Sequence, residues 1–183
     1  SMSDHPSHHL VYGTLNDFLT GEELVDTDDE RIRQQISRLM VEERGYKREE
    51  LLPRLCIETL FTRNFVTSTI DLTVELTHKQ IMIIRYGPGS LVSRERSALA
   101  AARVLNEDYR IPLAVVTNGR DALLLDTISA KVLDQGMQAI PDRQQALEML
   151  PSLIFLPPQD EDKRLREKRI LNAFDLERCC IGI

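Results

Sequence analysis

The spacing of apolar positions changes several times along the chain, and each change predicts an element. Over residues 28–44 apolar side chains recur every three or four residues, which indicates a helix that Gly45 ends. Three β-forming segments follow, at 55–61, 69–74 and 80–84, with a turn at 77–79 between the last two.

Helix and strand then alternate again. Residues 87–90 break the chain, and the alanine-rich segment 93–106 predicts a second helix. The apolar run 113–116 is typical of a buried strand, and a turn at Asn118 and Gly119 predicts a hairpin to 122–125. Further helices are expected at 143–150 and 160–178. The order predicts an α/β domain, a mixed β-sheet flanked by helices with an added C-terminal helical segment.

These elements divide the 183 residues into an N-terminal extension (1–27), an α/β core (28–127) and a C-terminal helical extension (128–183). The histidines His5, His8 and His9 are interpreted as part of a polar terminal segment rather than as metal ligands. The last helix has an apolar stripe, which either docks on its own domain or forms a homodimer contact.

Composition restricts the function classes. The chain is 42% hydrophobic and 28% charged, as in ordinary globular proteins. A net charge of −6 argues against holding duplex DNA by charge alone, although a local basic patch stays possible. Three cysteines do not indicate a disulfide framework, and no apolar run approaches a membrane span. We therefore expect a cytoplasmic protein without a membrane partner.

The candidate chemistry centres on the strand that contains Asp71. The next strand runs into Arg85, Tyr86 and Gly87. An acidic strand residue, a hairpin and a strand ending in acid-x-Lys is how metal-dependent nucleases of the PD-(D/E)xK type present their site. In this chain Arg85 and Gly87 stand at the positions of the second acid and the lysine.

The order of elements over residues 28–127 resembles the N-terminal nuclease domain of type I restriction enzyme R subunits, a branch of those nucleases. The likeness rests on the segments 30–34, 70–72 and 117–119. It implies a restriction-endonuclease-like sheet, Asp71 as the metal-binding aspartate, and Glu30 as a helper from the first helix. The family's usual glutamine and tyrosine fall on Ser97 and Ala101, which cannot replace them.

In active members of the family two acids hold a divalent cation that activates water. A guanidinium at Arg85 would attract Asp71 and repel a cation, so we expect Arg85 to pair with Asp71 or Glu30. The leading interpretation is a nuclease-like domain that is not an enzyme and needs no metal or cofactor. It would bind nucleic acid or another phosphate-bearing ligand.

Two alternatives stay open. The first is an active, Mg²⁺-dependent DNA endonuclease with a relocated acid. Glu75 is the candidate, because strand alternation places it on the same face as Asp71. The second is a structural, dimerisation or protein-interaction module that uses the C-terminal helix.

The loop after the 80–84 strand is a candidate anion site, because free N–H groups and a helix N-terminus could meet there. The simpler interpretation is a tight turn in which Ser93 caps the helix and the arginines are solvated. The candidate ligand-binding residues are Arg85, Gly87, Gly89, Ser90, Ser93, Arg94 and Arg96.

Overall fold

The computed structural model describes residues 10–181, with side chains as far as Glu177, so the three N-terminal histidines lie outside the described residues. A six-stranded sheet in the order β3-β4-β5-β6-β7-β8 carries helices on both faces, and β1 and β2 form a separate hairpin. The strands are β1 (Val11–Asn16), β2 (Glu23–Thr27), β3 (Leu51–Phe61), β4 (Asn64–Leu76), β5 (Lys79–Tyr86), β6 (Leu113–Thr117), β7 (Ala122–Asp126) and β8 (Val132–Gln135). The helices are α1 (Asp28–Arg38), α2 (Glu95–Val104), α3 (Arg143–Met149) and α4 (Glu161–Ile181).

The mixed sheet predicted from the sequence is confirmed. The strands β3, β4 and β5 pair antiparallel. β5 and β6, which α2 connects in sequence, pair parallel, and the remaining pairs are antiparallel. Thr77 and His78 turn the chain between β4 and β5 with positive φ angles of 50° and 65°, the conformation of a tight hairpin. Lys79 already belongs to β5.

Two apolar clusters, one on each face of the sheet, form the core. On one face Ile36 and Met40, from α1 and its continuation, pack with Leu72 and Val74. On the other face the alanines of α2 and Leu171 of α4 pack with Ile70 and Ile83. The small alanine side chains allow α2 to approach the sheet closely, because they leave little volume between backbone and strand.

The predicted helices are present, with differences at their ends. α1 continues as a wider π-helical turn, Leu39–Glu43, and Gly45 ends it with φ of 77°. A short 3₁₀ turn, Val92–Arg94, precedes α2, so Arg94 rather than Ser93 is the residue at its start. None of the helices within residues 10–181 combines the length and the apolar character that a membrane span requires.

The terminal helix α4 docks on its own domain. Asn172 is 4% exposed, and its amide nitrogen donates to the carbonyl oxygens of Thr59 and Asn64 at 3.3 and 2.9 Å. Arg103 of α2 donates to Glu167 at 3.0 Å. These contacts anchor the middle of α4 to α2 and to the β3–β4 hairpin.

The sequence did not reveal β1, β2 or β8. β1 is mostly exposed and β8 is entirely exposed, so neither has the buried alternation that marks a strand. β3 begins four residues earlier than expected and includes Pro53, which is tolerated because β3 is an edge strand. β8 pairs with β7 and lies after residue 127, where the predicted core ends. The sheet therefore extends past that boundary.

Asp17 joins the β1–β2 hairpin to the domain. Its side chain is 1% exposed, and its oxygens accept hydrogen bonds from Thr20, Gln34 of α1 and Arg54 of β3. Burial alone would raise the pKa of Asp17, but the hydrogen bonds from Gln34, Arg54 and Thr20 outweigh it and lower the pKa. The carboxylate is therefore a charged crosslink between three elements.

We predict that Asp17→Asn lowers the free energy of unfolding by about 2 kcal/mol at pH 7, because it loses charge-assisted bonds inside the fold. Because the folded-state pKa of Asp17 is lowered, its stabilisation is present above the unfolded value of about 4 and disappears as the pH falls below it. Urea unfolding at pH 7 and near pH 3 measures both effects. Asp108→Asn, at an exposed position, is the control and should change little. An equal loss at both pH values would contradict the charged crosslink.

Candidate functional site

The site is a cavity of about 450 Å³ beside the carboxyl end of β5. β4 pairs with β5 only between Leu72 and Leu76, so the β3–β4 hairpin continues past the end of β5. The cavity opens where the neighbouring strand is missing. Its charged lining residues are Asp17, Glu30, Arg33, Arg54, Asp71, Arg85 and Asp175.

Local irregularity in β4 sets the direction of Asp71. Ile70 and Leu72 pack in clusters on opposite faces of the sheet although they are two residues apart. The partner position on β3 is Arg54, which has a positive φ of 58°. The strict alternation of a regular strand is therefore lost here, and Asp71 lines the cavity.

Both carboxylate oxygens of Asp71 are engaged. Oδ1 accepts a hydrogen bond from Nε of Arg33 at 2.8 Å, and Oδ2 accepts one from the backbone N–H of Tyr86 at 2.7 Å. The Asp71 side chain is 12% exposed. A guanidinium and a backbone amide thus hold the carboxylate from two sides.

Arg33 and Glu30 share one face of α1. Nη1 of Arg33 lies 3.8 Å from Oε1 of Glu30, and the guanidinium lies 5.3 Å from the ring centre of Tyr86. Burial alone would lower the pKa of Arg33, but the carboxylate of Asp71 outweighs it and raises the pKa. Arg33 is a permanent cation between Glu30 and Asp71.

Tyr86 lines the cavity and contacts α1. Its hydroxyl donates to Oδ1 of Asp29 at 2.8 Å. Burial raises the pKa of Tyr86 well above its usual value, and the hydrogen bond to Asp29 raises it further. The phenol stays neutral at physiological pH and supplies no base.

Arg85 lines the cavity, but the expected pair with Asp71 or Glu30 is wrong. Its Nη2 lies 3.2 and 3.3 Å from the two carboxylate oxygens of Asp175 on α4, and it forms no ion pair with Asp71 or Glu30. Ser68 donates to the same Asp175 carboxylate. The reason is topological: Arg85 points to the sheet face that α4 covers, whereas Arg33 reaches Asp71 from α1.

Three of the four carboxylates that line the cavity already have an arginine partner, which disfavours a divalent cation there. A hard cation needs several oxygen ligands. Asp71 is held by Arg33, Asp175 by Arg85, and Asp17 by Arg54. In the part of the chain that the structure describes, no cluster of three or more histidine, cysteine or acidic side chains could hold a metal ion.

Glu75 lies apart from this site. A register shift separates Val74 from Glu75, and Glu75 does not line the cavity. The face argument that joined Glu75 to Asp71 therefore fails, because alternation is interrupted between them. Ser97 and Ala101 are buried in α2, at 2% and 0% exposure.

The loop after β5 does not have the expected convergence of donors and arginines. The N–H of Gly87 is bonded to the carbonyl of Thr117 at 3.1 Å, and Ser93 donates to the carbonyl of Ser90. Arg94 is 7% exposed and donates to the carbonyl of Pro88.

Arg94 and Arg96 do not converge on one site. A Cβ at Gly87 would overlap the guanidinium of Arg94, so glycine is required for this packing. Arg96 is exposed and lines a different groove, between α2 and α4. Gly89 has φ of 84°, as a turn requires. The loop is built around an inward arginine, and its anion binding stays a prediction.

Sequence reasoning missed Arg33, Arg54, Asp17 and Asp175. For Arg33 a signal existed, since it follows Glu30 by three residues on the predicted helix and an isolated buried Asp71 needs a cation nearby. Asp175 is separated from Arg85 by 90 residues, and no local pattern connects them.

The protein is a mixed α/β sheet flanked by helices, with an acidic residue of β4 beside the carboxyl end of β5. The family model for the type I restriction enzyme R protein N terminus matches residues 28–141, and the chain belongs to that family. Searches of curated proteins and of solved structures gave no significant match.

We predict an energetic coupling of about 1–2 kcal/mol between Arg33 and Asp71 in a double-mutant cycle of alanine variants. Arg33→Ala leaves the Asp71 carboxylate, which is 12% exposed, without its cationic partner. The control is the pair Arg38 and Glu42 at 3.5 Å, in which both side chains are more than half exposed, and its coupling should stay below about 0.5 kcal/mol. Urea unfolding measures all free energies. Additive effects at Arg33 and Asp71 would show that the contact does not determine the site.

Proposed function

We propose that this protein is a non-cleaving member of its family, and that the cavity at the end of β5 binds a phosphate-bearing ligand, nucleic acid foremost. The observation that carries the proposal is the engagement of Asp71 by Arg33 and by the Tyr86 amide. The residue that would ligate a metal in an active relative is used here as the partner of an arginine.

The absence of cleavage follows from electrostatics. Metal-dependent hydrolysis needs a cation that neutralises the phosphate and activates water. A cation at Asp71 would have to displace Arg33 and would then lie near the positive charge of Arg85. Each step costs free energy, and Glu30 is the one remaining acidic residue of the cavity without an arginine within 3.5 Å.

Binding without cleavage follows from the same residues. The cavity is lined by three arginines, Arg33, Arg54 and Arg85, and a guanidinium fork matches the geometry of phosphate oxygens. Each arginine already has a carboxylate partner, so a phosphate has to compete with it. We therefore infer modest affinity and strong dependence on salt.

We expect short fluorescent oligonucleotides to bind with a Kd of about 1–100 µM at physiological salt, as for binding through phosphates alone. Arg33→Gln and Arg85→Gln should each weaken binding about fivefold and reduce the salt dependence. Arg120→Gln, an exposed residue outside the cavity, should leave binding unchanged. Fluorescence anisotropy measures the affinities, and circular dichroism checks that each variant is folded.

The same samples are incubated with plasmid and single-stranded DNA in Mg²⁺ or Mn²⁺. No cleavage is expected. Cleavage that disappears in Asp71→Ala would overturn the non-cleaving assignment. If no oligonucleotide binds, or if Arg120→Gln weakens binding as much as the cavity variants do, the binding part of the proposal fails.

A further inference from the structure

The contact between α4 and the cavity has a property that packing alone does not explain. Asp175 places its carboxylate between Ser68 of β4 and Arg85 of β5. Ser68 is fully buried, and the Arg85 and Asp175 side chains are 12% and 13% exposed. The carboxylate of Asp175 is therefore largely buried at the end of β5. It belongs to a helix outside residues 28–141, the region that the family model matches.

The arginine has more donors than the aspartate uses. Nη2 of Arg85 meets both oxygens of Asp175, whereas Nη1 is buried and has no hydrogen-bond partner among the described residues. A buried donor without an acceptor costs free energy. The Ser68 hydroxyl and the two terminal nitrogens of Arg85 can donate to three oxygens, whereas a carboxylate has only two.

We propose that Ser68 and Arg85 form a receptor for a phosphate monoester, and that Asp175 occupies it as an internal competitor. This inference rests on the proposed function and names its ligand class. A phosphate monoester has three terminal oxygens and nearly two negative charges, so it can bond Ser68 and both Arg85 nitrogens. An internal phosphodiester has two such oxygens and one charge, like the carboxylate that is already present.

α4 can release Asp175 without leaving the domain. Asn172, one turn earlier, is bonded to Thr59 and Asn64, and Leu171 is buried in the core. Only the helix beyond Asn172 has to move for Asp175 to withdraw. The ligand then gains Arg85 and Ser68, and α4 keeps its upstream contacts.

The probes are matched oligonucleotides with a 5′-phosphate or a 5′-hydroxyl, a nucleoside 5′-monophosphate, and inorganic phosphate. Wild type should prefer the phosphorylated oligonucleotide. Asp175→Ala should bind every monoester about tenfold more tightly, because the internal competitor no longer reduces the available receptor. The 5′-hydroxyl oligonucleotide should gain about twofold at most, because an internal phosphodiester has one charge and two terminal oxygens for the same donors. Glu177→Ala removes one charge from the same helix at an exposed position outside the cavity, and it should leave all affinities unchanged.

Asp175→Asn keeps the size of the side chain and is the second variant, in case Asp175→Ala does not fold. A third measurement needs only wild type: in NMR, phosphate should shift the amide signals of Ser68, Arg85 and Asp175 more than acetate does. If these signals do not respond, or if a folded Asp175 variant gains no affinity for monoesters, the receptor assignment is overturned.

The outcomes separate this inference from the proposed function. Oligonucleotide binding that depends on Arg33 but is indifferent to Asp175 and to the terminal phosphate overturns the inference alone. Binding of inorganic phosphate and of the monophosphate, without binding of any oligonucleotide, supports the receptor and removes nucleic acid from the proposed function.

Discussion

The structure around the cavity depends on neutralising Asp71. β4 loses its regular alternation at this residue, and its carboxylate lies at the end of the sheet where it is largely shielded from water. An unpaired charge there would cost several kcal/mol. Arg33 and the Tyr86 amide remove that cost, and in doing so they fix α1 against the end of β5.

The same solution is repeated around the cavity. Arg54 neutralises Asp17 and joins the N-terminal hairpin to β3, and Arg85 neutralises Asp175 and joins α4 to β5. The cavity is thus a point where separate segments of the chain are crosslinked by ion pairs. A phosphate ligand would act on those crosslinks directly, so binding at this site and the docking of α4 become one coupled equilibrium.

The sheet could be predicted because its signals are local. The buried runs in β5 and β6, the glycine after α1 and the turn at Asn118 each act within a few residues. Asn118 accepts hydrogen bonds from the N–H groups of Arg120 and Asp121, as a turn residue does. β1 and β8 could not be predicted, because backbone pairing holds these largely exposed strands together.

The site was predictable only in part. Asp71, Glu30 and Arg85 line one cavity, but the partner of Arg85 comes from α4. The inward turn of Arg94 depends on the space above Gly87, which only the folded loop defines. Local spacing identified the charged residues, whereas tertiary packing decided which charges meet.

If Arg33 and the Tyr86 amide hold Asp71 as they do in this structure, a divalent cation has to compete with a guanidinium for the same carboxylate. A crystal soaked in Mn²⁺ would reveal any bound cation by its anomalous scattering. We expect no manganese peak at coordination distance from Asp71, with the Arg33 contact intact. A manganese ion bound to Asp71 and a second acid, with Arg33 turned away, would show that the carboxylate is a metal ligand.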